Sequence, residues 1–319
     1  MTRSRLAYPA LLCCLLACVA STARAQSRVF VSARTGSDAN SCNSIATPCQ
    51  TLQGAVNQVA AGGAVLVLDT GGYGPVSIGK AVSIEAPPGI EAFIHPPSGS
   101  AITILAGGAD VVVVRGLTLS VGPSYGIDFQ SGLALHVERC VIQGFQTGIV
   151  ALRGSGTIQS DVFIEDTVIR DCSFDAISLL TFVGVVRGTI DGCNLEANGS
   201  IGLDSFSVSR TVVRKTVAAG NSVGFAVGSD GPGRPADLTI DGCTAASNPV
   251  RGIQADALPG GSAVVRFSNS TITGNGGTTS VVWGGVGQFN STQCLSRLNN
   301  TVEGNSVDLI GTIGSYTPH

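Results

Sequence analysis

Three aspartates stand where a carboxyl group could do chemistry: Asp128 in "YGIDF", Asp204 in "IGLDSF" and Asp256 in "RGIQAD". Two or three carboxyl groups within several ångströms of one another can divide general-acid and general-base duties across a glycosidic bond. Clustered acids can instead hold calcium against a uronate while an Arg or Lys removes the proton α to its carboxyl group. Either use demands convergence in space, so the segments that carry these residues decide the matter. A thiol mechanism is excluded first. Cys140, Cys193 and Cys243 recur in one slot of a repeat that has no recurring histidine to activate them, and the only histidines are His95, His136 and His319.

The carrying segments repeat. "YGIDF", "TGIVA", "DAISL", "IGLDS", "VGFAV", "RGIQA" and a weaker "GGVGQF" place a Gly or Ala at positions 126, 148, 176, 202, 224, 252 and 285. The steps between them are 22, 28, 26, 22, 28 and 33 residues. A second motif runs between the copies, as "LHVERCVI", "VFIEDTVI", "GTIDGCNL", "TVVRKTVA", "LTIDGCTA" and "VRFSNSTI", anchored on Val137, Ile164, Ile190, Val213, Ile240 and Phe267. Asn198, Asn221, Asn248 and Asn275 each lie eight residues past an anchor, and Asn305 follows "TVEG" as Asn275 follows "TITG". Two short β-branched strands and their turns, repeated at this interval, make one coil of a solenoid. No strand of that size buries its own apolar face, so stacking must supply the core. The glycine of each "GI" is read as a turn residue at positive φ. The recurring Asn is read as bonding the backbone at a bend and its own neighbours along the stack. Alternate coils lie about 10 Å apart, too far for Cys140, Cys193 and Cys243 to bridge one another.

Composition agrees. Charged residues make up 12% of the chain, apolar residues 44%, and there are 43 glycines, which suits many short buried strands and tight turns and excludes disorder. Arg3 and Arg5, the apolar run from Leu6 to Ala20 and "ARA" before Gln26 read as a signal peptide cleaved after Ala25. The rival reading of "LLAC" makes Cys18 a lipidated N-terminus. Removing the leader takes away three arginines and no acid, so the formal charge moves from −3 to −6, with Lys80 and Lys215 the only lysines. That balance leaves no basic stripe for nucleic acid or an anionic polysaccharide. No later segment has the length of a transmembrane helix. Cys42 and Cys49 bracket the polar loop "CNSIATPC" and are paired as a disulfide, because no histidine or second cysteine pair lies near enough to make a metal site.

With its Asn bends and "GI-x-φ" strands, the region from about 76 to 312 resembles the right-handed parallel β-helix of the pectate-lyase-like superfamily. Residues 26–75 resemble the N-terminal module of secreted β-helix proteins through "VS-x-x-GSDAN", "P-x-QTLQ-A" and "G-x-Y". Thr51 should cap a short helix whose Leu52, Ala55, Val56 and Val59 form an apolar stripe across the open end of the first coil. The expected fold is therefore all-β: a solenoid of about 8–10 coils over 76–319 with an N-terminal capping helix.

The resemblance implies that ligand lies along the outside of the "GI" sheet. Alternation then turns outward one column of Asp128, Val150, Ser178, Asp204, Ala226 and Gln254, and a second of Gln130, Leu152, Leu180, Phe206, Gly228 and Asp256. Asp128 and Asp204 are three coils apart and Asp204 and Asp256 two, with an apolar stretch between the first pair. "YGID" also begins like the "YG-x-D-P-H" signature of alginate C5-epimerases, but Phe129 and Gln130 stand where that motif has Pro and His. The "NTD", "DD", "GHG" and "RIK" of polygalacturonases and the "W-x-DH" of pectate lyases are missing. Asp191 and Asp241 in "IDGC" are read as turn residues; Arg153, Arg234 and Arg251 are read as solvated loop residues. Tyr125, Phe206 and Trp283 are aromatic candidates for stacking on a ligand. Asp230 and Arg234, in the loop "GSDGPGRPAD", are candidates for a binding wall. These features point to a secreted or cell-surface module, non-catalytic and without a cofactor, that binds a polysaccharide or a surface protein. The alternative is a polysaccharide lyase, C5-epimerase or glycoside hydrolase acting on uronate-containing polysaccharide, with calcium if it is a lyase and Asp128, Asp204 and Asp256 as the carboxylates available to it.

Overall fold

The computed structural model describes residues 27–153, 159–277, 284–290 and 292–317. Among them each full coil carries three strands, and the coils stack into three parallel sheets of twelve, ten and ten strands. The "GI" strands, from Tyr125–Ser131 through Ile201–Phe206, Val223–Ser229 and Arg251–Ala257 to Gly284–Gln288, all lie in one ten-strand sheet, called here the GI sheet. The second motif holds two strands rather than one. A left-handed residue splits every copy at a corner: Arg139, Asp166, Gly192, Lys215, Gly242 and Asn269 have φ of 49°, 48°, 64°, 46°, 62° and 51°. The segment before the corner joins the twelve-strand sheet; the three residues after it, such as Val141–Gln143 and Asn194–Glu196, join the third. Asp191 and Asp241 end their strands just before Gly192 and Gly242, as expected of turn residues.

Parallel register turns each sequence repeat into a ladder. Ile127, Ile149, Ile177, Leu203, Phe225, Ile253 and Val286 are stacked partners in consecutive coils, and none is more than 1% exposed. Each such side chain contributes on the order of 1.5–3 kcal/mol by leaving water. The motif glycines serve this stacking differently from the expectation of positive φ, for none of them has it. A Cβ on Gly224 would stand 2.6 Å from the carbonyl oxygen of Gly252 in the next coil. The backbone approaches too closely there for a side chain.

The bends are satisfied internally. The side-chain oxygens of Asn221, Asn248, Asn275 and Asn305 accept the backbone N–H of Asn198, Asn221, Asn248 and Asn275 at 2.9–3.0 Å. Their amide nitrogens donate to carbonyls of the preceding coil. The cysteine column alternates with hydroxyls for a related reason. The N–H groups of Cys140, Cys193 and Cys243 donate to Thr167, Thr216 and Ser270 in the following coil. All three thiols are buried, and burial pushes them up to about 11, 12 and 11.

At the N-terminal end, helix Leu52–Gln58 packs on strands Arg28–Val31, Gly63–Val67 and Val76–Ile78. Thr51 caps it by accepting the Gly54 N–H at 2.9 Å, and Leu52, Ala55, Val56 and Val59 are all buried. Asp38 of "GSDAN" holds the cap in place through the Gln50 and Thr51 N–H groups and the Thr51 hydroxyl. Cys42 and Cys49 form the expected disulfide. No helix among the described residues is long and apolar enough to cross a membrane.

Replacing a ladder asparagine tests this account of the bends. Asn248→Ala strands the buried Asn221 N–H and Ala218 carbonyl, and should cost about 2–4 kcal/mol in a denaturant titration. A loss below about 0.5 kcal/mol, typical of an ordinary surface substitution, would contradict it.

Candidate functional site

The first outward column of the GI sheet takes the register expected of it, and so does the second from Leu152 to Leu180 and from Phe206 to Asp256. Asp128 pairs with Val150, Val150 with Ser178, Ser178 with Asp204, Asp204 with Ala226 and Ala226 with Gln254; beside them Phe206 pairs with Gly228 and Gly228 with Asp256. Their shape was not anticipated. Between the coil carrying Asp204 and Phe206 and the coil carrying Gln254 and Asp256, the intervening strand presents only Ala226 and Gly228. That pair of small residues leaves a shallow groove of about 290 Å³, lined also by Ile201 and Leu258. Its walls are two strand spacings apart, roughly 10 Å. Phe206 leans over the floor: a Cβ on Gly228 would come within 2.6 Å of its ring.

The groove thus brings two of the three carboxylate candidates together and excludes the third. Asp128 lies three coils away, 8% exposed, with Gln130 Nε2 donating to its carboxylate at 2.7 Å. Tyr125 is in the same distant coil. Trp283 falls outside the described residues. Asp230 and Arg234 pair with each other at 2.6 Å and do not line the groove. The Ser207 hydroxyl donates to Asp230, while Arg234 donates to the Thr181 carbonyl and lies 5.1 Å from the centre of the Phe182 ring. The loop is therefore a staple across neighbouring coils that braces the groove's edge.

Arg251 is not the solvated residue expected. It is 9% exposed, stacks on Phe289 at 4.3 Å and donates to Gln254 Oε1 at 3.0 Å. Because an arginine only donates, this bond fixes which end of the Gln254 amide faces it and leaves the amide N–H pair without a partner among the described residues. Asp256 accepts from Asn290 Nδ2 at 2.6 Å. The Asp204 carboxyl has no hydrogen-bond donor among the described residues, though the groove leaves it part-exposed. Loss of solvent in this apolar seat, with the negative charge of Asp175 adding to it, pushes Asp204 up to about 8. Asp175 is 4% exposed and is itself raised by burial, which outweighs the bond it accepts from the Ile201 N–H at 2.9 Å. Asp175 and Arg251 were missed as neighbours of the site. The signal that marks the groove was available, however, in the small pair Ala226 and Gly228 set between two coils of larger residues.

What the site can do chemically follows from these groups. Asp204, raised by its seat, is an acid that can hold and donate a proton, Asp256 is a hydrogen-bond acceptor, Gln254 an N–H donor and Phe206 a flat apolar surface. Among the described residues no three His, Cys, Asp or Glu side chains converge as metal ligands.

The seat of Asp204 has a measurable consequence. Its folded-state value lies above the ordinary 3.8, so between the two values the folded chain keeps a proton that the unfolded chain has released. Stability is full below the lower value and falls as pH rises through the interval. Asp204→Asn should therefore melt several degrees above the parent at about pH 8, with the difference closing at about pH 4. Equal melting temperatures at both pH values in a calorimetric comparison would refute the assignment.

Comparison with known proteins fits the architecture. Among solved structures, the crystal structure of pectate lyase Pel9A superposes with a TM-score of 0.61 at 14% identity, covering 91% of this chain and 78% of that one. At that identity the likeness is one of fold. No curated protein sequence matches. The family model described as "Right handed beta helix region" matches residues 125–307, which span every "GI" copy, and the chain belongs to that family.

Proposed function

We propose that this is a secreted or surface-exposed β-helix protein that binds a polysaccharide through the GI sheet, with the groove between Asp204 and Asp256 as its central subsite. The observation that carries the reading is the combination of Phe206, leaning over Gly228, with Asp204, Gln254 and Asp256 on the same ~10 Å opening. A sugar ring presents an apolar face to an aromatic and hydroxyls that both donate and accept at its rim, and the groove offers a counterpart to each. The leader expected before Gln26 and the Cys42–Cys49 disulfide support an oxidising, extracytoplasmic location.

Asp204 favours a second reading, glycoside hydrolysis. A carboxylic acid still protonated at neutral pH is in the state that a general acid needs, and Asp256 across the groove is the carboxylate available to activate water. A calcium-dependent uronate lyase draws less support, because the acids here do not cluster and the nearest arginine is buried behind Gln254.

Titration of the protein with a panel of oligosaccharides, followed by calorimetry, tests the binding reading. Ala226→Phe fills the groove without touching an acid, and Phe206→Ala removes the stacking surface. Each should weaken binding at least about tenfold, whereas Asp128→Asn, three coils away, should leave it unchanged. Binding that survives both groove variants would place the ligand elsewhere. Reducing-end and unsaturated-product assays on the same panel, with and without calcium, separate the readings. Turnover abolished by Asp204→Asn would establish hydrolysis, and its absence leaves binding as the activity.

A further inference from the structure

Resting on the polysaccharide-binding reading of the groove, the geometry points to an amino sugar as its ligand: a glycan whose ring stacks on Phe206 while its protonated amine sits against the Asp204 carboxyl. Four observations carry this. Two acids and no basic side chain line the groove. A further acid, Asp128, stands three coils away in the same column as Asp204, and Asp175 lies buried beside Asp204, so the charge nearest the groove is negative. Of the arginines near it, Arg251 is buried against Phe289 and engaged with Gln254, and Arg234 is paired with Asp230 and bonded to the Thr181 carbonyl. Finally, Asp204 opens on the groove with no donor among the described residues, whereas Asp128, Asp175 and Asp256 each accept at least one hydrogen bond.

A carboxyl group without a donor, in a seat that disfavours its charge, is completed by a ligand that brings both a donor and a positive charge. A uronate would bring a second negative charge next to Asp204 and Asp256, with no accessible cation to offset it. An uncharged sugar could accept the Asp204 proton in a hydrogen bond but would leave the acidic face uncompensated. Protein groups answer part of the remaining demand: Gln254 offers its amide N–H pair to a ring hydroxyl, and Ala226 and Gly228 leave the floor low enough for the ring to approach. The charged groups around Asp204 are Asp175 beside it, Asp256 across the opening and Arg251 behind Gln254.

The proton balance is explicit. At about pH 6 the free amine is charged and Asp204 is protonated; the complex holds a carboxylate against an ammonium, so binding releases up to one proton per site to the buffer. The experiment titrates the full chain at about pH 6 with hexamers of glucosamine, N-acetylglucosamine, glucose and galacturonate, and with spermidine. The measurements are repeated in two buffers of different ionisation enthalpy to count protons. The glucosamine hexamer should bind at least about tenfold more tightly than its N-acetylated counterpart and release a proton. Asp204→Asn should abolish both the preference and the release, whereas Asp128→Asn, three coils away, should leave both as in the parent. Equal or tighter binding of the N-acetylated, glucose or galacturonate hexamer would overturn the inference and leave the groove a glycan site. Spermidine binding as tightly as the glucosamine hexamer would overturn it by showing that charge alone is read. Failure of every hexamer to bind would remove the glycan-binding reading, and this inference with it.

Discussion

The structure depends on one constraint: parallel register between coils, held at a spacing set by backbone hydrogen bonding. Once Ile127 is over Ile149 and Ile149 over Ile177, the identity of every other stacked pair follows for as long as the strands last. Interior columns become apolar ladders, corner columns become runs of left-handed residues, and one bend becomes an asparagine ladder. The motif glycines belong to the same constraint, since at Gly224 the carbonyl of the next coil already occupies the space of a side chain. Variation in repeat length is confined to the loops, as in the segment that carries Asp230 and Arg234.

Register also governs the site. On the outward face nothing must interlock, so the columns are free to vary, and relief is made by varying side-chain size from coil to coil. Asp204 and Phe206, then Ala226 and Gly228, then Gln254 and Asp256 give wall, floor and wall. Asp204 is costly to the fold in its charged form, since its seat withholds solvent from the carboxyl and the charge of Asp175 adds to that. Local arrangements that weaken a fold are expected where a ligand supplies the missing interactions.

Much of this was legible in the sequence, and what was not is instructive. The repeat, the capping helix with its Thr51 cap, the disulfide and both outward columns are all local or periodic signals, and periodicity survives folding unchanged. The third strand of each coil was hidden because it is only three residues long and follows a corner residue that can be Arg, Asp, Lys or Asn as readily as Gly. The glycine of "GI" was read as conformational when its role is steric, a distinction that depends on an atom in another coil. Arg251 looked solvated because its partners, Gln254 and Phe289, become neighbours only when the strand is formed. The groove itself is a gap, and gaps are read from what small residues fail to fill.

The asparagine ladder has a direction. The side chain of each later coil satisfies the backbone of the one before: Asn221 completes Asn198, Asn248 completes Asn221 and Asn275 completes Asn248. No rung is finished by residues already made when it forms. A chain emerging with its N-terminus first therefore carries an open bend at its growing end until the next coil arrives. With the capping helix packed on the first coil, the stack has one closed end and one end whose donors await the next coil. Interruption partway would leave a well-formed N-terminal stack ending in unsatisfied donors, a defect confined to the tip.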